Sequence, residues 1–115
     1  MLKRRYKRRY IGIVSQELVA DLDWRALFRL VQERNSELFG YVFNELAKVK
    51  LVSQEQGGLT IISCRANSLD QLLVSLTFMD PPLLIIDVSG SINKLKKRCT
   101  LELASLYYGE NSANS

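Results

Sequence analysis

The sequence predicts an α+β sandwich of the split βαβ, ferredoxin-like kind, ordered β-α-β-β-α-β with an extra C-terminal helix. Three observations lead there. Short apolar runs alternate with stretches of helical periodicity, a hairpin signal separates the second and third strands, and 115 residues suit one domain. The domain is expected over residues 10–108, with a basic N-terminal arm at 1–9 and a disordered polar tail at 109–115.

Tyr10 to Val14 reads as a strand that is apolar on both faces. Asp23 is placed to cap a helix running to Phe39, where Trp24, Leu27, Phe28, Val31 and Leu38 form one stripe. Gly40 closes that helix as the residue after its C-cap. The alternation of Ala47-Lys48-Val49-Lys50-Leu51 predicts a half-exposed strand. Gln56-Gly57-Gly58 makes a turn, and Leu59 to Arg65 completes the hairpin.

Ser68 and Gln71 have capping-box spacing, opening a helix to about Met79 with Leu69, Leu72, Leu73 and Leu76 inward. Asp80-Pro81-Pro82 stops it, because the residue before a proline avoids the helical region. Leu83 to Val88 is a strand with the composition of one buried on both faces. The last helix is expected from Ile92 to Tyr108. In this fold two crossover helices cover one sheet face. Strands that are apolar on both sides require a second cover, supplied by the extra helix or by a partner.

The composition excludes several chemistries. Apolar residues are 47% and charged residues 24%, an ordinary globular balance. There is no histidine, which removes Ser-His and Cys-His nucleophile pairs, imidazole acid/base cleavage of RNA, and histidine metal sites. Cys64 and Cys99 are isolated and read as buried reduced thiols of a cytoplasmic protein. No apolar run approaches the ~20 residues of a membrane span. Ile11 to Val14 is also too short to be the apolar core of a secretion signal.

The charge is concentrated. Lys3, Arg4, Arg5, Lys7, Arg8 and Arg9 form one acid-free segment, and Lys94, Lys96, Lys97 and Arg98 form another. Together they hold ten of the sixteen basic residues, leaving six against twelve acids elsewhere. An acidic body with two positive patches reads as a polyanion binder. The first patch repeats Lys-Arg-Arg-Tyr twice, pairing bidentate phosphate ligands with rings that can stack on bases. The same arm would also serve as a solubilising terminus.

On the last helix Ile92, Leu95, Cys99, Leu103 and Leu106 make an apolar stripe, while Lys94, Lys97 and Arg98 project oppositely and Lys96 lies on the border. Cations in the first turns oppose the helix dipole at roughly 0.3–1 kcal/mol each when exposed. A partner supplying negative charge would relieve that. Leu101 and Tyr108 also face outward, as candidates for protein contact. The turn Ser89-Gly90-Ser91 offers N–H groups to a phosphate, and Ser91 can equally act as a helix cap alone.

Catalytic constellations are not legible. The third strand lacks the aromatic residues with which an RNA-recognition motif stacks bases, Tyr10 being the one candidate on the first. Ser15-Gln16-Glu17-Leu18 stands where acylphosphatase would carry its arginine-bearing glycine loop. Asp21 with Asp23 suits capping, and Glu33 with Glu37 suits a solvated helix face, rather than a carboxylate metal site.

Lys7-Arg8-Arg9-Tyr10-Ile11, Leu38-Phe39-Gly40, the run Gly58 to Arg65 and the run Val88 to Lys97 resemble, in order and spacing, the archaeal ribonuclease P protein component two, the Pop-five family. Ser91 stands where that family usually has threonine, and the duplicated basic tetrad lies outside its pattern. The resemblance implies a cytoplasmic subunit of the ribonucleoprotein that removes the 5′ leader from precursor tRNA, in which RNA performs the hydrolysis. It implies no cofactor on this chain, with Mg expected on the RNA. It also implies a larger barrel-fold protein partner in a two-plus-two assembly, alongside further ribonuclease P proteins. RNA contact carries onto Arg65, Lys94, Lys96, Lys97 and Arg98 by this likeness. The competing expectation is a dimerisation module with the same fold and no RNA role.

Overall fold

The computed structural model describes residues 7–15, 24–54, 58–79 and 83–113, with side chains described except for Ser15, Trp24 and residues 103–113. Its elements in chain order are β1 (Arg8–Ser15), α1 (Trp24–Phe39), α2 (Tyr41–Ala47), β2 (Lys50–Gln54), β3 (Thr60–Arg65), α3 (Leu69–Thr77), β4 (Leu83–Ser89) and α4 (Ile92–Ala113). The strands form one sheet in the order β2-β3-β1-β4, each pair antiparallel. Both crossover connections therefore skip one strand, which is the split βαβ topology that the sequence predicts.

The sheet is sandwiched. On one face Ile11, Ile13, Ile62 and Cys64 pack with Leu27 and Val31 of α1 and with Leu72 and Leu76 of α3. On the other, Leu59 and Ile61 meet Leu95 and Cys99 of α4, flanked by Tyr10, Val14, Val52 and Ile86. The period-two alternation of β1 and β3 sends neighbouring apolar residues to opposite covers. The second cover is the extra helix.

The boundaries differ in instructive places. β1 begins at Arg8, inside the expected arm, because Arg8 and Arg9 pair with Arg65 and Cys64 of β3. The segment 47–51 is not one strand. Ala47 ends a helix that the sequence reading missed, and Lys48 reverses the chain at φ 49° and ψ 51° before β2. The apparent alternation joins a buried helix end, Ala47, to a buried connector, Val49.

No capping box forms either. Ala66–Ser68 is a single 3-10 turn, and Ser68 enters α3 without a side-chain cap bond. β4 is an edge strand, so its residues are half-buried rather than buried and Leu84 is exposed. Leu83, Ile85 and Val88 still pack on one face and Ile86 on the other. α4 continues through Gly109 to Ala113, beyond the expected Tyr108 end. Extending an existing helix past one glycine costs only about 1 kcal/mol. The expected Asp23 cap, the Gln56-Gly57 turn residues and the Asp80-Pro81-Pro82 stop lie outside the described residues.

Within α1 the buried face is Leu27, Val31 and Asn35, while Leu38 is exposed. Asn35 is wholly buried. Its amide donates to Asn44 Oδ1 at 3.0 Å and its carbonyl accepts from Ser75 Oγ at 2.8 Å, tying α1 to α2 and α3. The apolar stripe ends in this polar knot, which is why Leu38 is not needed in the core.

Candidate nucleic-acid interface

Antiparallel pairing sets the start of β1 beside the end of β3 and the end of β4. Arg8 lies opposite Arg65, and Tyr10 lies opposite Ser89. Two basic segments nearly ninety positions apart in sequence thus share one end of the sheet. The exposed Lys7 adjoins them, its carbonyl accepting from Ala66 N–H at 2.8 Å.

The individual guanidiniums differ. Arg8 is engaged in the fold: its Nη2 donates to Ser63 Oγ at 2.8 Å and to the Lys48 carbonyl at 2.6 Å. Arg9 leans over the turn after β4. Its Nη1 donates to the Arg8 carbonyl at 3.1 Å and would lie 3.2 Å from a β-carbon on Gly90. Glycine at this position leaves the guanidinium room to lie against the backbone. Arg65 is half-buried.

In the turn, Ser89 Oγ accepts from Ser91 N–H at 3.1 Å, and Ser91 Oγ accepts a long 3.4 Å bond from Lys94 N–H. The Ser91 carbonyl takes the first helical bond, from Leu95 N–H. Ser91 is therefore the N-cap, and both seryl oxygens are committed to the helix start. A phosphate here would meet the remaining N–H groups of the first turn beneath Arg9.

On α4, Leu95 and Cys99 are fully buried while Lys94, Lys97, Arg98 and Leu101 are exposed, and Lys96 is half-buried. Among the described residues no carboxylate pairs with Lys94 or Lys97. Arg98 is different. Its Nε meets Asp87 Oδ2 at 2.9 Å, and its Nη2 donates to the Val88 carbonyl at 3.1 Å. The charge opposing the helix dipole is thus partly compensated from within, a contact that sequence reasoning missed.

A β-bulge causes it. Gly12 pairs with Asp87 while Ile13 pairs with Ile85, leaving Ile86 extra. Ile86 packs in the α4-side core, the Asp87 carboxylate reaches Arg98, and Val88 returns to the opposite core. A lone carboxylate inside an apolar strand was the available signal. Tyr10 is likewise used for packing under α4, so the sheet face that stacks bases in other proteins of this topology is occupied.

Burial pushes the Cys64 thiol up to about 11 against the partial opposition of Arg8 and Arg9. Cys99 is raised by burial too, with Asp87 and Glu102 adding to it and Arg98 opposing. Neither is a nucleophile at neutral pH. Among the described residues no group of three or more carboxylate or thiol ligands is placed to hold a metal, and no helix is long and apolar enough to cross a membrane. Arg4 and Arg5, and the side chain of Tyr108, lie outside the described residues.

No protein-family model matches the chain, and no curated protein matches it in sequence. Among solved structures it is similar to a chain in the cryo-EM structure of yeast ribonuclease MRP. The TM-score is 0.62 with 14% sequence identity, over 99% of this chain and 100% of that one. At that identity the likeness is one of fold.

Proposed function

We propose that the chain is a protein subunit of a ribonuclease P-type ribonucleoprotein, which cleaves the 5′ leader from precursor tRNA. It binds and braces the RNA and leaves the hydrolysis, with its Mg, to that RNA. The observation that carries this reading is the single basic end of the sandwich, where Arg9 overlies the Ser89-Gly90-Ser91 turn and Lys94 and Lys97 face solvent without carboxylate partners among the described residues. The ordered sequence resemblance supports the particle, and the fold likeness to a chain of ribonuclease MRP, again a ribonuclease, agrees with it.

Arg4, Arg5, Lys7, Arg9, Arg65, Ser89, Gly90, Ser91, Lys94, Lys96 and Lys97 form the RNA side, with Arg8 and Arg98 supporting it through their protein contacts. The protein partners of this reading are a barrel-fold subunit in a two-plus-two assembly and further ribonuclease P proteins. The archaeal type and a cytoplasmic location belong to the same proposal.

Salt titration of RNA binding tests it. Neutralising about six phosphates on largely single-stranded RNA gives a log–log slope near −4, from ~0.7 per phosphate. A slope near zero would eliminate the RNA role and leave the dimerisation module. Reconstitution with a ribonuclease P RNA and barrel subunit, scored for 5′ processing with and without the chain, tests the particle.

A further inference from the structure

We propose that Lys48 and Lys50, at the turn from α2 into β2, bind phosphates of a single RNA strand that crosses the basic end of the sheet from α4 to the far edge strand. The inference rests on the RNA reading and extends it to two residues outside the runs that carry the family resemblance. Both lysines are exposed, and among the described residues no carboxylate pairs with either.

Strand pairing places them in a row. In the sheet order β2-β3-β1-β4 the strands end on this side at Lys50, Arg65, Arg8 and Ser89. Lys50 is directly opposite Ser63, so it shares the α4-side face with Ser63, Arg65 and Ile61. Arg8 reaches the same Ser63 hydroxyl at 2.8 Å and the Lys48 carbonyl at 2.6 Å, which ties the turn to β1. Four strand ends at the usual spacing span about 14 Å. Arg9 over Gly90, and then Lys94, continue the row onto α4. A line of cations of that extent suits a polymer of repeating negative charge.

Lys48 is the more telling residue. It lies at φ 49° and ψ 51°, the one left-handed non-glycine residue among those described. Glycine or asparagine is the low-cost choice where a helix ends in this way, and the β-carbon of a lysine is strained there. A strained position filled by a free cation points to a use for that cation. Lysine on an edge strand guards it against pairing with other chains, which accounts for Lys50 but not for Lys48.

The test measures binding of the full chain to a fluorescein-labelled oligouridylate of about twelve nucleotides across a salt series, with a thermal melt of each variant. Lys48→Gly keeps the carbonyl that Arg8 uses and relieves the strain. It should melt at or above the wild-type temperature while its salt slope flattens by ~0.7. Adding Lys50→Gln should bring the flattening to ~1.4. Arg34→Gln, which removes one charge from α1, should leave the slope unchanged.

A lower melting temperature for Lys48→Gly would assign the lysine to the fold and overturn the proposal. Equal flattening in Arg34→Gln would do the same, by making the effect one of net charge. An intact slope in the Lys48→Gly, Lys50→Gln variant, beside a flattened one in Lys94→Glu with Lys97→Glu, would overturn this inference alone and leave the RNA reading standing. A slope near zero in the wild type would overturn both. Poly-glutamate bound as tightly as the oligouridylate would overturn it in favour of an acidic protein.

Discussion

Gly12 of β1 and Cys99 of α4 approach so closely that a β-carbon on Gly12 would lie 2.6 Å from the Cys99 sulfur. Both are in the α4-side layer, where Cys99 is fully buried. The glycine therefore sets how near the last helix can come to the sheet. Gly12→Ala should destabilise the protein by about 1–3 kcal/mol, since overpacking forces α4 outward. Cys99→Ala removes the obstructing sulfur, so the double variant should recover much of that loss in urea unfolding. Strictly additive costs would show that the two sites are not coupled.

Arg8 and Arg9 adjoin in sequence and are expected to separate by function. Arg8→Ala leaves the Lys48 carbonyl and Ser63 hydroxyl without their donor and should cost about 1–3 kcal/mol of stability. Among the described residues Arg9→Ala loses one hydrogen bond, to its neighbour's carbonyl, and should stay within about 0.5 kcal/mol of wild type. The same Arg9 change should flatten the salt slope of RNA binding by ~0.7. Reversed effects in urea unfolding and salt titration would exchange the two roles.

The split βαβ topology was legible from the order of elements, and the need for two covers from periodicity. The sequence left open whether the extra helix or a partner supplies the second. Ile11 and Ile13 against Tyr10 and Val14 state two buried faces, and the stripe through Leu95 and Cys99 supplies the helix for one of them. What was not legible depends on residues meeting through space. Asp87 finds Arg98 only because a bulge turns it. Asn35 replaces an apolar side chain only because Asn44 and Ser75 arrive from elsewhere in the chain. The helix at Tyr41–Ala47 was hidden by a lysine in the left-handed region, which no period announces.

Asn35 is the next test of that point. Asn35→Ala strands the Asn44 side-chain oxygen and leaves the Ser75 hydroxyl only the Gln71 carbonyl, and should cost at least about 2 kcal/mol, from a cavity plus a lost polar pairing. Ser75→Ala should cost less, because Asn44 still pairs with Asn35. Equal losses in urea unfolding would deny Asn35 its central place in the knot.

For the proposed RNA side, α4 contains two kinds of cation. Lys94→Glu with Lys97→Glu should weaken RNA binding and lower the salt slope by about 1.4, at ~0.7 per lost phosphate contact, with little change in stability. Arg98→Glu should also destabilise the fold, because it sets like charge against Asp87. The comparison needs a thermal melt beside each titration. RNA binding unchanged in the double lysine variant would remove α4 from the interface.

Alkaline unfolding should depend on Cys64. Its thiol is raised from 9.0 to about 11 in the folded chain by burial, which disfavours the thiolate. Below about pH 9 folded and unfolded chains both keep the proton, so the thiol gives stability no pH dependence. Between about 9 and 11 the unfolded chain loses it while the folded chain does not, and stability falls as pH rises. The loss levels off above 11 at roughly 3 kcal/mol, from ~1.4 kcal/mol for each unit of difference. Lysines and tyrosines titrate in the same range, so the informative quantity is the difference between wild type and Cys64→Ala. The variant is less stable at neutral pH because it leaves a small cavity, but that deficit should shrink as pH rises through this window. A deficit that stayed constant from pH 8 to pH 11 would mean that the folded thiol ionises like a free one, and that the sheet beside Arg8 and Arg9 is wetter than its burial implies.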